Sequence, residues 1–199
     1  SDKVHPDEFA SRIISIIREE GDAGLRRINS FLDASSADLF EVSQSDIDDA
    51  FNLLDPVSRS ALELAADRVR KFQSRGLPKS WNDHHSQFGE RVIPLKSVAA
   101  YVPGGTAPLV STVIMTVVPA TVAGVDEVII TTPVAGDSMP HPAVLAAAKI
   151  AGASRVFKLG GAQAIAAFAY GTESVPAVDL ICGPGNTWVT AAKKLVFGD

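Results

Sequence analysis

The sequence predicts an α/β protein in which a helical N-terminal segment precedes a parallel sheet covered by helices. The first observation is compositional: residues 1–88 are charged and helical in pattern, whereas residues 89–199 are rich in Val, Ile, Ala and Gly. The second is that short β-branched runs alternate with alanine-rich runs after residue 89, which is typical of parallel sheets with crossover helices. The third is that the strand runs are apolar throughout, as expected for strands buried on both faces.

Four helices are predicted in residues 1–88. The first begins at Pro6, where the missing N–H costs nothing, and ends at Gly21, and a second follows it to Leu32. Ser45 is expected to cap the third helix. Asp55 begins the fourth, which ends in a basic turn that suits the negative end of the helix dipole. The apolar face of that fourth helix comprises Leu62, Ala65, Val69 and Phe72.

Four strands alternate with four helices in residues 89–199. The predicted strands are Ser97–Val102, Glu127–Thr132, Arg155–Leu159 and Val178–Cys182. The predicted helices are Thr112–Ala123, Pro142–Ala151, Ala162–Tyr170 and Thr187–Phe197. Doubly wound sheets normally continue past such a last helix. We therefore expect a Rossmann-like nucleotide-binding region over residues 89–199 that is incomplete at its C-terminal end.

Composition and charge exclude several classes of protein. Hydrophobic residues make up 46% of the 199 residues and charged ones 21%, values ordinary for a globular protein. The net charge of −5 argues against a nucleic-acid-binding surface. The apolar stretches are interrupted before they could span a bilayer, and the N-terminus has no apolar signal core. The single cysteine, Cys182, cannot form an internal disulfide, so we expect a cytoplasmic protein. From the charge and the short apolar stretches, we expect neither a nucleic-acid nor a membrane partner.

Glycine-rich turns follow three of the predicted strands. These turns are VPGG at 102–105, GGAQ at 160–163 and GPGN at 183–186. In a parallel sheet they share the edge formed by the carboxyl ends of the strands, where open α/β folds bind ligands. Glycines there allow the backbone to approach a phosphate, and the following helices offer free N–H groups.

Three polar residues in or beside these turns are candidates for ligand contacts. Tyr101 closes its strand and carries both a flat ring and a hydroxyl, Gln163 lies in the first turn of its helix, and Asn186 is placed to cap the last helix. Each also has a simpler interpretation: Tyr101 as a core residue, Gln163 as an exposed residue and Asn186 as a cap alone. Their shared edge favours a binding site.

Other chemistry has weaker support. The usual dinucleotide fingerprint is absent, because Trp188 stands where a third glycine is expected, and the acids Asp126 and Asp179 fall at strand starts rather than at the ligand edge. No metal site is expected from this chain, since the adjacent His84 and His85 would point apart in an extended segment. The residues alone therefore indicate a nucleotide or phosphate ligand and little more.

Several motifs together resemble the histidinol dehydrogenase family, from about residue 98 to residue 198. They are YVPGGTAPL, STVIMTVVPATVAGV, KLGGAQAIAAFAYGTESVP and GPGN followed by WVTAAKKLVFG. The GGAQAIAA and TESVP stretches are the most specific. The early helix pair, EEGDAGLRRINSFLD, also looks like that of the family.

The resemblance implies an NAD-dependent, zinc-requiring homodimeric enzyme that oxidises L-histidinol to L-histidine through the aldehyde. It places the NAD-contacting residues of the family on Tyr101, Gln163 and Asn186. The zinc ligands and the catalytic Glu–His pair are expected beyond Asp199, so no catalytic or metal-binding residue is assigned within this chain and the chain alone is expected to be inactive.

Three alternatives stay open at this point. The chain could be a non-catalytic nucleotide-binding or dimerisation module, or part of a related dehydrogenase acting on another primary alcohol. It could also be an aldehyde-oxidising enzyme that uses the thiolate of Cys182, although a small core residue is the simpler interpretation of that cysteine.

Overall fold

The computed structural model describes residues 5–33, 35, 39–104 and 107–199. The helices of this part of the chain are α1 (Pro6–Leu32), α2 (Gln44–Asn52), α3 (Pro56–Arg75), α4 (Val110–Val122), α5 (Pro142–Ala151), α6 (Gly161–Tyr170) and α7 (Thr187–Leu195). The strands are β1 (Trp81–Asp83), β2 (Phe88–Glu90), β3 (Ser97–Tyr101), β4 (Glu127–Thr131), β5 (Arg155–Phe157) and β6 (Leu180–Cys182). The α/β class is therefore confirmed. Gly105, in the first predicted glycine turn, lies outside the described residues.

Four strands form a parallel sheet in the order β5-β4-β3-β6. The chain moves outward from β3 to β4 and β5, and then α6 carries it back to β6 on the other side of β3. The direction of winding therefore reverses between β3 and β6, which makes the carboxyl ends of these strands a topological switch point.

The sheet is buried on both faces by two groups of helices. Side chains alternate along each strand, so Ala99 and Tyr101 pack against α1, α6 and α7, whereas Ala100 and Val102 pack against α2, α3, α4 and α5. Each of these four residues is at most 3% exposed. This double burial explains the apolar pattern of β3, β4 and β5, whereas β6 is less buried, with Leu180 46% exposed.

Helix α1 contains a break at Gly21, where the backbone adopts φ 55° and ψ −133°. A positive φ is strained for residues other than glycine, so the break is specified by the sequence at this point. The two predicted N-terminal helices are the halves of α1 on either side of it.

Some details of the first half differ from the prediction. The cap of α2 is Ser43 rather than Ser45: the Ser43 side chain accepts a hydrogen bond from the Asp46 N–H. Phe72 does not belong to the buried face of α3, because it is 75% exposed. The antiparallel hairpin β1–β2 was not predicted, and the division between residues 88 and 89 stays a prediction.

The second half follows the prediction closely. All four strands and all four helices occur in the predicted order, and α5 has the predicted bounds. The strands are one to two residues shorter at one end than predicted. Within the described ranges, no helix combines the length and the apolar content needed to cross a membrane.

Candidate nucleotide site

The turns after β3, β4 and β5 pack against one another through glycine. A Cβ atom at Gly104 would lie 2.7 Å from the carbonyl oxygen of Pro133, and one at Gly160 would overlap the Pro133 ring. Both glycines thus make room for the proline that follows β4. The small size of these glycines serves first to pack the turns together, which gives the ligand edge a fixed shape.

The turn after β6 is held against β3 in the same way. Gly183 adopts a φ of +98°, and a Cβ there would overlap the carbonyl group of Tyr101. From α7, the Lys193 Nζ donates a hydrogen bond of 2.8 Å to the carbonyl oxygen of Gly183. The turn is therefore braced from both sides at the switch point.

Tyr101 ends β3 inside the core and is 3% exposed. Its hydroxyl accepts a hydrogen bond of 3.2 Å from the backbone N–H of Gly161, which joins β3 to the turn that begins α6. Burial raises the pKa of Tyr101, against the effect of the Gly161 N–H, and the nearby Asp33 carboxylate raises it further. The side chain is therefore a neutral phenol at neutral pH.

Gln163 is buried at 1% exposure in the first turn of α6. Its Nε2 donates to the Asn29 Oδ1 at 3.2 Å and to the Asp33 Oδ2 at 2.9 Å, both on the C-terminal end of α1. Its Oε1 has no hydrogen-bond partner among the described residues and lies beside the α-carbon of Gly161. The interpretation of Gln163 as merely exposed is therefore wrong.

Asn186 caps α7, as one interpretation of the sequence predicted. Its Oδ1 accepts a hydrogen bond of 3.0 Å from the Val189 N–H, while the residue itself is exposed. Beside it, the Trp188 ring contacts the Phe9 ring edge to face, with the centroids 4.8 Å apart. The cap leaves the amide nitrogen of Asn186 available at the surface of the turn.

The three predicted site residues are brought to one edge but not into one cluster. Tyr101 and Gln163 are linked through Gly161, the first by a hydrogen bond and the second by contact. Asn186 lies on the neighbouring turn, whose Gly183 packs on Tyr101. In the described part of the chain, no hydrogen bond joins Asn186 to the other two.

A cleft of about 690 Å³ opens at the carboxyl ends of β3 and β4. Its polar groups include Asp33, Thr132 and His141, and its apolar walls include Met139 and Val144. The Asp33 carboxylate also accepts a hydrogen bond from Gln163, so it connects the cleft to this buried side chain. The volume is in the range of ordinary small-molecule sites.

Three residues near this cleft were not among the sequence candidates. His141 caps α5, with its Nδ1 accepting a hydrogen bond of 3.1 Å from the Ala143 N–H. Asn29 and Asp33 lie one helical turn apart on α1, and this spacing of two polar residues on one face was the available signal. Only the tertiary packing of α1 on α6 brings them to the ligand edge.

The remaining candidates have no support as catalytic or metal-binding groups. Burial raises the pKa of Cys182, although Lys193 opposes this, so the thiolate that an aldehyde oxidation requires is disfavoured. His84 and His85 are exposed in the turn of the β1–β2 hairpin. Within the described residues, no three His, Cys, Asp or Glu side chains are grouped as a metal site requires.

The chain is similar to histidinol dehydrogenases along nearly its whole length. The family model described as histidinol dehydrogenase matches residues 2–199. A histidinol dehydrogenase of Oceanobacillus iheyensis is 45% identical over 196 residues, which cover 97% of this chain and 46% of the relative. One of Deinococcus radiodurans is 46% identical over 199 residues, which cover 99% of this chain and 45% of the relative.

A solved structure agrees with the sequence relatives. The crystal structure of histidinol dehydrogenase from Elizabethkingia anophelis matches with a TM-score of 0.91 at 30% identity, covering 98% of this chain and 46% of that one. The chain thus spans about half the length of the relatives it matches. The resemblance that the glycine-turn motifs indicated is confirmed. The chain belongs to the histidinol dehydrogenase family.

Proposed function

We propose that this chain is the cofactor-binding part of an NAD-dependent dehydrogenase that oxidises L-histidinol to L-histidine through the aldehyde. Membership of an oxidoreductase family supports the reaction class. The observation that carries the proposal is the cleft at the carboxyl ends of β3 and β4. Asp33, which lines this cleft, accepts a hydrogen bond from the buried Gln163. That edge is where parallel α/β sheets bind dinucleotides.

The described residues fit a nicotinamide dinucleotide. The Gln163 Nε2 donates two hydrogen bonds, to Asn29 and Asp33 at the end of α1. Its Oε1 is buried and has no hydrogen-bond partner among the described residues. A buried polar atom without a partner is costly in a folded protein unless it serves a further contact, and NAD carries hydroxyl and carboxamide donors. We assign NAD contacts to Tyr101, Gln163 and Asn186.

These residues act by binding and orienting the cofactor rather than by acid–base chemistry. NAD, when bound, accepts the hydride that leaves the substrate carbon. Tyr101 stays protonated and fixed by Gly161, and the Asn186 amide offers a donor from the turn after β6. We propose that zinc and the acid–base pair are held by the part of the relatives' length that this chain does not span, because the described residues offer no metal cluster. Assembly as a homodimer in the cytoplasm is part of the proposal.

A steady-state assay of the full-length protein tests this function. We expect L-histidinol to drive NADH formation, and Gln163→Met to raise the KM for NAD by at least about 10-fold, since a lost buried hydrogen bond costs about 1–3 kcal/mol. The kcat at saturating NAD should change little in comparison. Gln44→Met, on the exposed surface of α2, is the matched control and should leave both constants unchanged.

Two outcomes contradict the proposal in different ways. NAD binding without oxidation of L-histidinol would favour a non-catalytic module or a dehydrogenase of another primary alcohol. Activity with an unchanged KM for NAD in Gln163→Met would remove Gln163 from the cofactor site.

A further inference from the structure

An acid that could hold a ribose is missing from the expected place in this sheet. In dinucleotide-binding folds, an Asp or Glu near the end of the second strand accepts hydrogen bonds from the ribose hydroxyls. The corresponding strand here is β4, and it is followed by Thr132 and Pro133. Glu127 begins β4, and Asp126 and Asp179 precede β4 and β6, so all three acids lie at the opposite ends of these strands.

Another part of the chain places a carboxylate beside the end of β4. Asp33 is the C-cap residue of α1, is partly buried and lines the cleft together with Gly104, Thr132 and Pro133. Asp33 therefore supplies a carboxylate to the same cleft as the end of β4, although it comes from a helix that precedes the whole sheet.

The location of Asp33 is unfavourable for the stability of the free protein. A carboxylate at a helix C-terminus faces the negative end of the helix dipole, which is unfavourable for the charged form. Burial raises the pKa of Asp33, and the hydrogen bond from Gln163 only partly offsets this. Neither the helix dipole nor burial favours the charged form of Asp33. A carboxylate in such a location is a candidate for a functional role.

The hydrogen bonds of Asp33 leave it free to accept more. Oδ2 accepts from the Gln163 Nε2 at 2.9 Å, which fixes the orientation of the carboxylate. Within the described residues, Oδ1 accepts no hydrogen bond. The adjoining walls of the cleft are apolar, with Val134, Met139 and Val144 beside it. The carboxylate suits the vicinal hydroxyls of a sugar, and the apolar walls suit a flat base joined to that sugar.

We infer that Asp33 is the ribose-binding acid of this site, accepting hydrogen bonds from the adenosine ribose hydroxyls of a dinucleotide bound in the cleft. The inference rests on the proposed function, since it assumes a nicotinamide dinucleotide as ligand. It also gives the site a preference: a 2′-phosphate on that ribose would meet the carboxylate and be repelled, so NAD is bound in preference to NADP.

Competing titrations of the full-length protein with NAD and NADP test the inference. In Asp33→Asn, we expect the Kd for NAD to rise by about 10-fold or more, as for loss of a charge-assisted hydrogen bond. The Kd for NADP should stay the same or fall, so the preference for NAD shrinks by at least about 10-fold. The Asn side chain keeps an acceptor for Gln163. Asp126→Asn, an exposed acid at the other edge of the sheet, is the matched control and should preserve the preference.

The outcomes separate this inference from the proposed function. If the unaltered protein binds neither NAD nor NADP, the proposed function is wrong. If it binds NAD but Asp33→Asn keeps the same ratio of NAD to NADP affinity, the ribose assignment is overturned. An equal loss of affinity for both cofactors, with the ratio unchanged, would show that Asp33 only positions Gln163.

Discussion

At the scale of single residues, the sequence allowed candidate side chains to be proposed more easily than it allowed their contacts to be predicted. Tyr101, Gln163 and Asn186 were proposed because each lies beside a glycine turn, and that placement depends only on local sequence. The burial of Gln163 depends on α1, which is more than 130 residues earlier in the chain. The contact with Asn29 and Asp33 therefore could not be predicted from the helix that carries Gln163.

Asn186 combines a structural contact with the proposed ligand contact, and two substitutions can separate them. Asn186→Ala should lower the free energy of unfolding by about 1 kcal/mol, because the Val189 N–H loses its cap. Asn186→Ser keeps a capping oxygen but lacks the amide nitrogen, so we expect nearly unchanged stability with weakened NAD binding. Denaturant unfolding and NAD titration of both variants make the comparison.

The result for Asn186→Ser decides the functional part. If this variant binds NAD as tightly as the unaltered protein, the asparagine acts only as a cap. If Asn186→Ala unfolds like the unaltered protein, the hydrogen bond to Val189 contributes little to stability.

At the scale of elements, the TESVP stretch that resembled the family so specifically has a structural use. The Glu173 Oε2 accepts a hydrogen bond of 2.7 Å from the Asp22 N–H, directly after the break in α1 at Gly21. In return, the Asp22 carboxylate accepts from the Thr172 hydroxyl at 2.6 Å and from the Ser174 hydroxyl at 2.9 Å. These bonds fasten the break in α1 to the loop after α6, and so fix the end of α1 that reaches the ligand edge.

This fastening should depend on pH. Burial alone would raise the pKa of Asp22, but hydrogen bonds from Thr172 and Ser174 and the nearby Arg26 guanidinium bring it below its ordinary value. A lowered folded-state pKa means that the carboxylate stabilises the fold above the ordinary pKa of an aspartate, about 4. That stabilisation is lost as the pH falls through the lowered pKa.

We therefore expect Asp22→Asn to lower the free energy of unfolding by about 2 kcal/mol at pH 7. The difference from the unaltered protein should shrink as the pH falls towards 3. Denaturant unfolding across this range provides the measurement, with the exposed Asp126→Asn as the control. A difference of the same size at every pH would show that the charge of Asp22 is not what stabilises the break.

The elements themselves were predictable where hydrophobic pattern and turn chemistry agreed. Strands and helices after residue 89 alternate with clear glycine or proline boundaries, and their order was confirmed. The hairpin β1–β2 has strands of three residues each with little burial, so it lacks the apolar alternation that identifies a strand. Ser43 and Ser45 both precede α2, and the choice between them depends on which hydroxyl reaches the Asp46 N–H.

At the scale of the whole molecule, the order of the strands makes β6 an outermost strand of the sheet. The sheet therefore has an exposed edge strand in addition to the carboxyl ends where we propose that the ligand binds. In the part of the chain that the structure describes, strand β6 pairs with β3 on one side only, and its Leu180 is 46% exposed. Apolar grooves flank β6 on both faces: one is lined by Met115, Pro119 and Cys182, and the other by Phe197. An unpaired apolar edge of this kind promotes association between chains.

The 199-residue chain should therefore self-associate through β6, and Leu180→Lys should reduce that association. A charge on an edge strand opposes pairing with another strand, and the exposed position should tolerate the side chain with little loss of stability. Sedimentation velocity over a range of concentrations measures the effect. Leu64→Lys, on α3 at a similar exposure of 51%, is the control. Equal association in both variants would mean that β6 is not the contact.

The crystal structure of the full-length protein with NAD bound tests the central claim most directly. We predict density for the dinucleotide in the cleft at the carboxyl ends of β3 and β4, with Gln163 and Asn186 in contact and a ribose against Asp33. A cofactor bound elsewhere, with the 690 Å³ cleft empty, would contradict the assignment of this edge as the nucleotide site.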